Sequence, residues 1–217
     1  MDSIISMTAN DVDGFYARHF HRPIAKRLSR LIGKRMSANA MTASSLVLGS
    51  GAAALISFSD AFFTAALLLQ IYCVLSCLDG EIARSMGTVS QRGDFFDTIT
   101  DRFVEIAILY ALIFHTEAAS SFPEVVGWQF LFLGAVYLIA YMSEKFRATY
   151  KRGYPKASEG VFQYITSGVD ARLTMYSCAL FFLNLKAFSA VSSGIAIFVV
   201  LLAANIIYRF RRIIMTT

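Results

Sequence analysis

The sequence predicts an all-α integral membrane protein: six transmembrane helices, with an amino-terminal amphipathic helix lying at the interface. Three observations carry this. Hydrophobic residues fill 56% of the 217 positions and charged residues only 16%, well under the roughly 25% charged content of soluble domains. Six apolar stretches recur, most of them near the ~20 residues that cross a bilayer. Basic residues gather in alternate connections, as they do on the cytoplasmic side of membrane proteins. With three prolines, no linker-like tract and no repeat, residues 1–217 read as one domain, with 11–36 as the interfacial helix and 40–208 as the six-helix bundle.

The first element is DGFYARHFHRPIAKRLSRLIGKRM (13–36). Phe15, Phe20, Ile24, Leu28, Leu31 and Ile32 supply an apolar face and basic residues fill much of the rest, which suits a helix on an inner membrane surface. His19 and His21 are two apart, so a helix does not align them as metal ligands. The leading MDSIISMTANDVDG has early acid and no long apolar core, unlike a cleavable signal. The spans follow at about 40–58, 60–84, 94–115, 126–148, 168–184 and 187–208, the fifth being short. SFSDAF (57–62) and FLNLKAF (182–188) are tight enough to make helical hairpins of the first and last pairs.

Charge orients the bundle. Seven Lys or Arg side chains lie within 1–39. Arg84 and Arg92 flank the second connection. Lys145, Arg147, Lys151, Arg152 and Lys156 crowd the fourth, and Arg209, Arg211 and Arg212 the tail. The opposite connections hold Asp60, Glu117, Glu124 and Lys186. Both termini are therefore expected in the cytoplasm, in a cell (inner) membrane. The formal charge of +5 reads as topology and contact with membrane lipids. No aromatic-basic motif points to nucleic acid. Cys73, Cys77 and Cys178 all sit in apolar runs, without the spacing of a disulfide or zinc set. They read as small buried hydrophobes.

One stretch breaks the apolar pattern: SCLDGEIARSMGTVSQRGDFFDTITD (76–101). Ionisable groups inside spans are costly and mark function. Asp97 and Asp101 are four apart and share a helix face, with Gly93 on the same stripe. Ser76, Asp79, Gly80 and Ala83 form the matching stripe on the preceding helix. Asp79, Asp97 and Asp101 repel one another unless neutralised, and Arg84 is the main nearby cation. An oxygen-only set of this kind suits Mg²⁺ or Mn²⁺. Gly80, Ala83 and Gly93 leave room for a flat nucleotide, and Arg84 stands where it could hold a phosphate.

The pattern Asp79-Gly80-x-x-Ala83-Arg84, eight residues, Gly93-x-x-x-Asp97-x-x-x-Asp101 resembles the signature of the CDP-alcohol phosphotransferases. It matches seven of the eight fixed positions. The six spans, the basic leader and SANAMT (37–42) before the first span extend the likeness along the chain. The resemblance implies a membrane enzyme that takes a CDP-linked donor, releases CMP and passes the phosphoryl-bearing group to an alcohol. It implies metal bound by Asp79, Asp97 and Asp101. CDP would lie against Asp79, Gly80, Ala83, Arg84, Gly93 and Asp97, and Asp101 would be the catalytic proton acceptor. The departure is Ser76, where the family pattern has a further metal-binding aspartate. A hydroxyl is a poor Mg²⁺ ligand, though it can hold a metal-bound water. Ser76 lies about 4.5 Å deeper than Asp79 at 1.5 Å per residue. Asp94 is shallower than Asp97, the wrong depth to replace it.

Lys145, Arg172 and Arg209 fall near the cytoplasmic ends of the last three spans. Each alone is an ordinary positive-inside anchor; together they suggest a pocket for an acceptor's phosphate, with Arg147 and Arg152 as alternatives. DGEIAR, FFDTITDR and the leader resemble the di-myo-inositol phosphate phosphate synthase branch, which joins CDP-inositol to inositol phosphate. The expected reaction is therefore metal-dependent transfer from CDP-inositol to a phosphorylated polyol. Two alternatives remain: a phospholipid synthase using CDP-diacylglycerol, and an impaired homologue acting as a membrane scaffold. A transporter fits less well, because the charge sits toward one face and not at a polar midplane. Gly49 and Gly51 allow a homodimer through close helix approach.

Overall fold

A computed structural model describes residues 12–32, 35–118 and 125–215. A π-helical turn, Ala17–His21, leads into α1, Arg22–Ile32. Six further helices follow: α2 Ala38–Phe58, α3 Phe62–Met86, α4 Gln91–Ala118, α5 Val125–Tyr150, α6 Val169–Asn184 and α7 Phe188–Met215. Each of the six expected spans falls on one of these. Among the described residues, α2, α3 and α7 are long and apolar enough to cross a membrane. α6 has 16 residues, about 24 Å at 1.5 Å per residue, shorter than a ~30 Å hydrocarbon core.

Local chemistry sets the helix ends. Ser37 caps α2 by accepting the Ala40 N–H at 3.3 Å. Ser90 does the same for α4, accepting the Gly93 N–H at 3.1 Å, which satisfies a donor the helix itself leaves unpaired. α3 ends at Gly87 with φ of +65°, a left-handed stop that costs glycine little. The α2–α3 and α6–α7 turns are the two tight hairpins expected from the sequence.

α3 is central. It packs against α2, α6 and α1; α2 also packs on α4, and α5 chiefly on α7. Leu69, Ile108, Leu109, Leu180 and Leu202 are fully buried in the main core. Gly49 of α2 sits where α2 meets α3 and α4, and an added Cβ would come within 2.5 Å of Val104. Its small size therefore serves packing inside the chain, whereas Gly51 faces open space. The outer surface is apolar: Val47, Phe58, Tyr110, Phe130, Ile197 and Val200 are each more than half exposed. So wide an apolar exterior suits lipid and not water.

α1 is a helix over Arg22–Ile32, and the apolar side chains of the amino-terminal segment divide. Ala25 is buried with Met41, Leu78 and Ile82, and Leu28 and Ile32 pack beside them. Phe20, Ile24 and Leu31 face outward. His21 is buried against Gln70, Nε2 to Oε1 3.4 Å, while the exposed His19 contacts the Phe15 carbonyl. The two rings do not form a pair.

Candidate active site

The acidic stretch, the amino-terminal segment and the α5–α6 connection meet at one end of the bundle around a cavity of about 310 Å³. Ser76, Asp79, Gly80, Arg84, Asp97 and Asp101 all line it. A second cavity, about 170 Å³, adjoins it and is lined by Asp79, Gly80, Ala83, Arg84, Gly93 and Asp97. The structure thus brings together every motif position named from the sequence. The reason is geometric: the i, i+4 stripes of α3 and α4 face each other, and small residues on both keep the space open.

Two of the three motif carboxylates, Asp79 and Asp101, are already engaged. Asp79 is buried; its Oδ2 accepts the Thr42 hydroxyl and its Oδ1 the Gly80 N–H, both at 2.5 Å. Asp101 Oδ1 accepts the Tyr72 hydroxyl at 2.6 Å and the Ser76 hydroxyl at 3.1 Å. Ser76 therefore touches Asp101, and a carboxylate in its place would repel it. Arg84 folds over Gly80, with its guanidinium 3.3 Å from where a Cβ would stand, and pairs with Glu81 at 2.7 Å. Asp94 lies toward the exposed edge and pairs with Arg147 at 3.0 Å, which agrees with its shallow position.

Among the described residues no group of three or more His, Cys, Asp or Glu closes into a metal-binding set. The chemistry of the lining nonetheless fits a hard cation. Its carboxylates outnumber its Arg and Lys side chains, and all of its charged oxygen donors suit Mg²⁺ or Mn²⁺.

The three cations expected to hold an acceptor phosphate are not brought together. Lys145 is exposed on α5 and lines neither cavity. Arg172 is buried and forked onto Glu105, Nη2 to Oε2 3.0 Å, with Nη1 donating to the Thr166 carbonyl at 2.9 Å. Arg209 is forked onto Glu159, Nε to Oε1 and Nη2 to Oε2 both 2.8 Å. It also donates to the Ile139 carbonyl at 2.8 Å and lies 4.3 Å from the Tyr154 ring centre. Neither arginine lines the cavity. The cations that do include Arg22, Arg102, Arg147 and Lys156. Lys156 sits in the α5–α6 connection. Burial pulls its ammonium below the ordinary lysine range, and Asp170 nearby opposes the shift.

Sequence reasoning missed four of the groups that shape this end. Tyr72 and Glu105 were within reach, because they extend the two stripes by one turn each, four residues before Ser76 and four after Asp101. Thr42 ends the SANAMT stretch, but its bond to Asp79 joins residues 37 positions apart, and Asp170 comes from a distant helix that no local spacing announces.

Known proteins resemble this chain in sequence and in fold. Residues 35–211 match the family profile described as CDP-alcohol phosphatidyltransferase. The chain is 30% identical over 164 residues to the bifunctional IPC transferase and DIPP synthase of Aquifex aeolicus, covering 75% of this chain and 37% of that one. It is 33% identical over 178 residues to the protein of that name from Archaeoglobus fulgidus, covering 80% and 34%. The chain thus spans about a third of the length of these bifunctional relatives. It is also 26% identical over 126 residues to the archaetidylinositol phosphate synthase of Pyrococcus horikoshii, covering 55% and 63%. In fold it resembles the Mycobacterium tuberculosis phosphatidylinositol phosphate synthase PgsA1 solved with CDP-DAG bound. The TM-score is 0.63 at 19% identity over 88% of this chain and 92% of that one, a likeness of fold alone. The chain belongs to the CDP-alcohol phosphatidyltransferase family, a family of transferase enzymes.

Proposed function

We infer that the paired cavities catalyse metal-dependent transfer of a phosphoryl-bearing polyol from a CDP-linked donor to an alcohol acceptor, releasing CMP. CDP-inositol is the favoured donor and a phosphorylated polyol such as inositol phosphate the favoured acceptor. The observation that carries this is the convergence of Asp79, Asp97, Asp101 and Arg84 on one polar cavity. The similarity to the DIPP synthases supports the choice of polyol.

Asp79, Asp97 and Asp101 would hold Mg²⁺ or Mn²⁺, which offsets charge on the diphosphate. The nucleotide fits the smaller cavity, with its flat face against Gly80, Ala83 and Gly93 and its phosphates toward Arg84. Arg84 leaves Glu81 to reach them. The acceptor hydroxyl attacks the phosphorus bearing the polyol. Its proton passes to Asp101, the new P–O bond forms, and the anhydride P–O bond breaks with its electron pair going to CMP. Tyr72 and Ser76 orient the Asp101 carboxylate for this role. The acceptor's phosphate falls to cavity cations, Lys156 foremost. Arg172 and Arg209 hold the scaffold that carries it. Six spans with both termini in the cytoplasm of an inner membrane place this end of the bundle in the cytoplasm, with α1 at the lipid surface. A homodimer would use outward faces such as that of Gly51.

A donor panel tests the reading: CMP release is measured with CDP-inositol and with CDP-diacylglycerol, offered separately. Release from CDP-inositol in the presence of inositol phosphate supports it. Release only from CDP-diacylglycerol selects a lipid synthase. No release from either by folded protein favours an impaired site, in which Ser76 is the lesion.

A further inference from the structure

The amino-terminal segment reaches the larger cavity, where Asp13, Gly14, Ala17 and His21 form part of the lining. One carboxylate helps hold the segment there, beside the packing of Phe15 on Tyr164 and the His21–Gln70 contact. Asp170, in the first turn of α6, accepts the Ala17 N–H at 2.8 Å across 153 positions of chain. The fit around this carboxylate is close on both sides, since a Cβ on either Gly14 or Gly168 would overlap it. Farther along the same seam a Cβ on Gly153 would overlap Val12. Glycines at three places thus let residues 12–17 seat against the α5–α6 connection. Asp170 also stands at the starts of two helices, its own and the one running from residue 15, whose positive ends favour a carboxylate.

We propose that Asp170 is a positioning residue that clasps residues 12–21 as a releasable roof over the cavity, so that the clasp sets how freely water and soluble substrate reach the acidic stripe. A phosphoryl-transfer site gains from excluding water while its substrates must still enter. A single charge-assisted hydrogen bond across the seam is strong enough to hold a segment and weak enough to open. The proposal rests on reading the cavity as catalytic only for its purpose; the roof itself is tested through accessibility.

Cys77 lines the cavity and serves as the reporter. Cys73 is buried and Cys178 exposed, so the parent is the 217-residue chain carrying Cys178→Ala. The rate at which a membrane-impermeant maleimide modifies Cys77 is measured. Asp170→Ala is expected to speed modification roughly tenfold, the loss of one charged hydrogen bond. Asp170→Asn, whose amide oxygen still accepts the Ala17 N–H but without the charge, is expected to fall between the parent and Asp170→Ala. Gly14→Val, which pushes on the same carboxylate from the other side, should match Asp170→Ala and decides the matter if that variant fails to fold. Parent-like rates in folded Asp170→Ala and Gly14→Val would overturn the roof, as would Asp170→Asn as fast as Asp170→Ala. CMP release on the same proteins keeps the two readings apart. A labelling shift without CMP release from any of them sinks the transferase reading and leaves the roof standing.

Discussion

Arg209 of α7 and Glu159 of the α5–α6 connection face each other fully buried, joined by two parallel hydrogen bonds of 2.8 Å. Asn205 and Arg212 bind the same connection, donating to Thr166 Oγ1 at 2.6 Å and to the Ser158 carbonyl at 2.6 Å. Burial pushes the Glu159 carboxyl up, but the Arg209 guanidinium more than offsets this and holds it below its ordinary value of 4.5. Glu159→Gln keeps the shape and leaves a buried guanidinium without its counter-charge. The expected loss is about 3–5 kcal/mol, read as a lowered unfolding midpoint in detergent. Because the folded value is depressed, the pair's stabilisation is complete above about pH 4.5 and is lost as pH falls through the folded value. The gap between wild type and variant should thus be constant near neutrality and shrink in acid.

Ser76 donates to Asp101, so the structure as it stands is relieved of one negative charge at that point. Ser76→Asp is expected to lower the unfolding midpoint in chelator, where two carboxylates meet, and to regain it in millimolar Mg²⁺. CMP release should rise at the same time. A midpoint indifferent to Mg²⁺ would show that this position does not join a metal set.

Lys156 is the cation of the α5–α6 connection that lines the cavity. Its ammonium is already held below the ordinary 10.5 by burial, with Asp170 opposing. A bound phosphate favours the charged form. The KM for a phosphorylated acceptor should therefore climb with rising pH before the ordinary lysine range is reached, while the KM for the donor changes less. Lys156→Arg, which stays charged, is expected to flatten the climb.

Gly49 admits Val104 and Tyr72 against the backbone of α2. Gly49→Val should cost about 1–3 kcal/mol by overpacking, seen as a lower unfolding midpoint. The matching change at Gly51, which faces open space, should leave the midpoint almost unmoved.

The helices and the acidic stripes were legible because each follows from local periodicity. An apolar run of span length, or Asp97 and Asp101 four apart, needs no knowledge of the rest of the chain. The arginines were not legible for the opposite reason. Arg172 and Arg209 look like membrane anchors or phosphate ligands until Glu105 and Glu159 are seen beside them, and those partners lie 67 and 50 positions away. A long guanidinium can serve either purpose, and only the tertiary neighbour decides. The clasp of Asp170 on Ala17, spanning 153 positions, is hidden in the same way.

Divalent-metal-dependent CMP release, compared between wild type and Asp101→Asn with a CDP-polyol donor and an alcohol acceptor, tests the central claim most directly. Asparagine keeps the hydrogen-bonding shape beside Tyr72 and Ser76 but cannot take the hydroxyl proton. The expected result is release by wild type that falls by roughly 10²–10⁴-fold in the variant, with both proteins folded. Undiminished release from Asp101→Asn would contradict it.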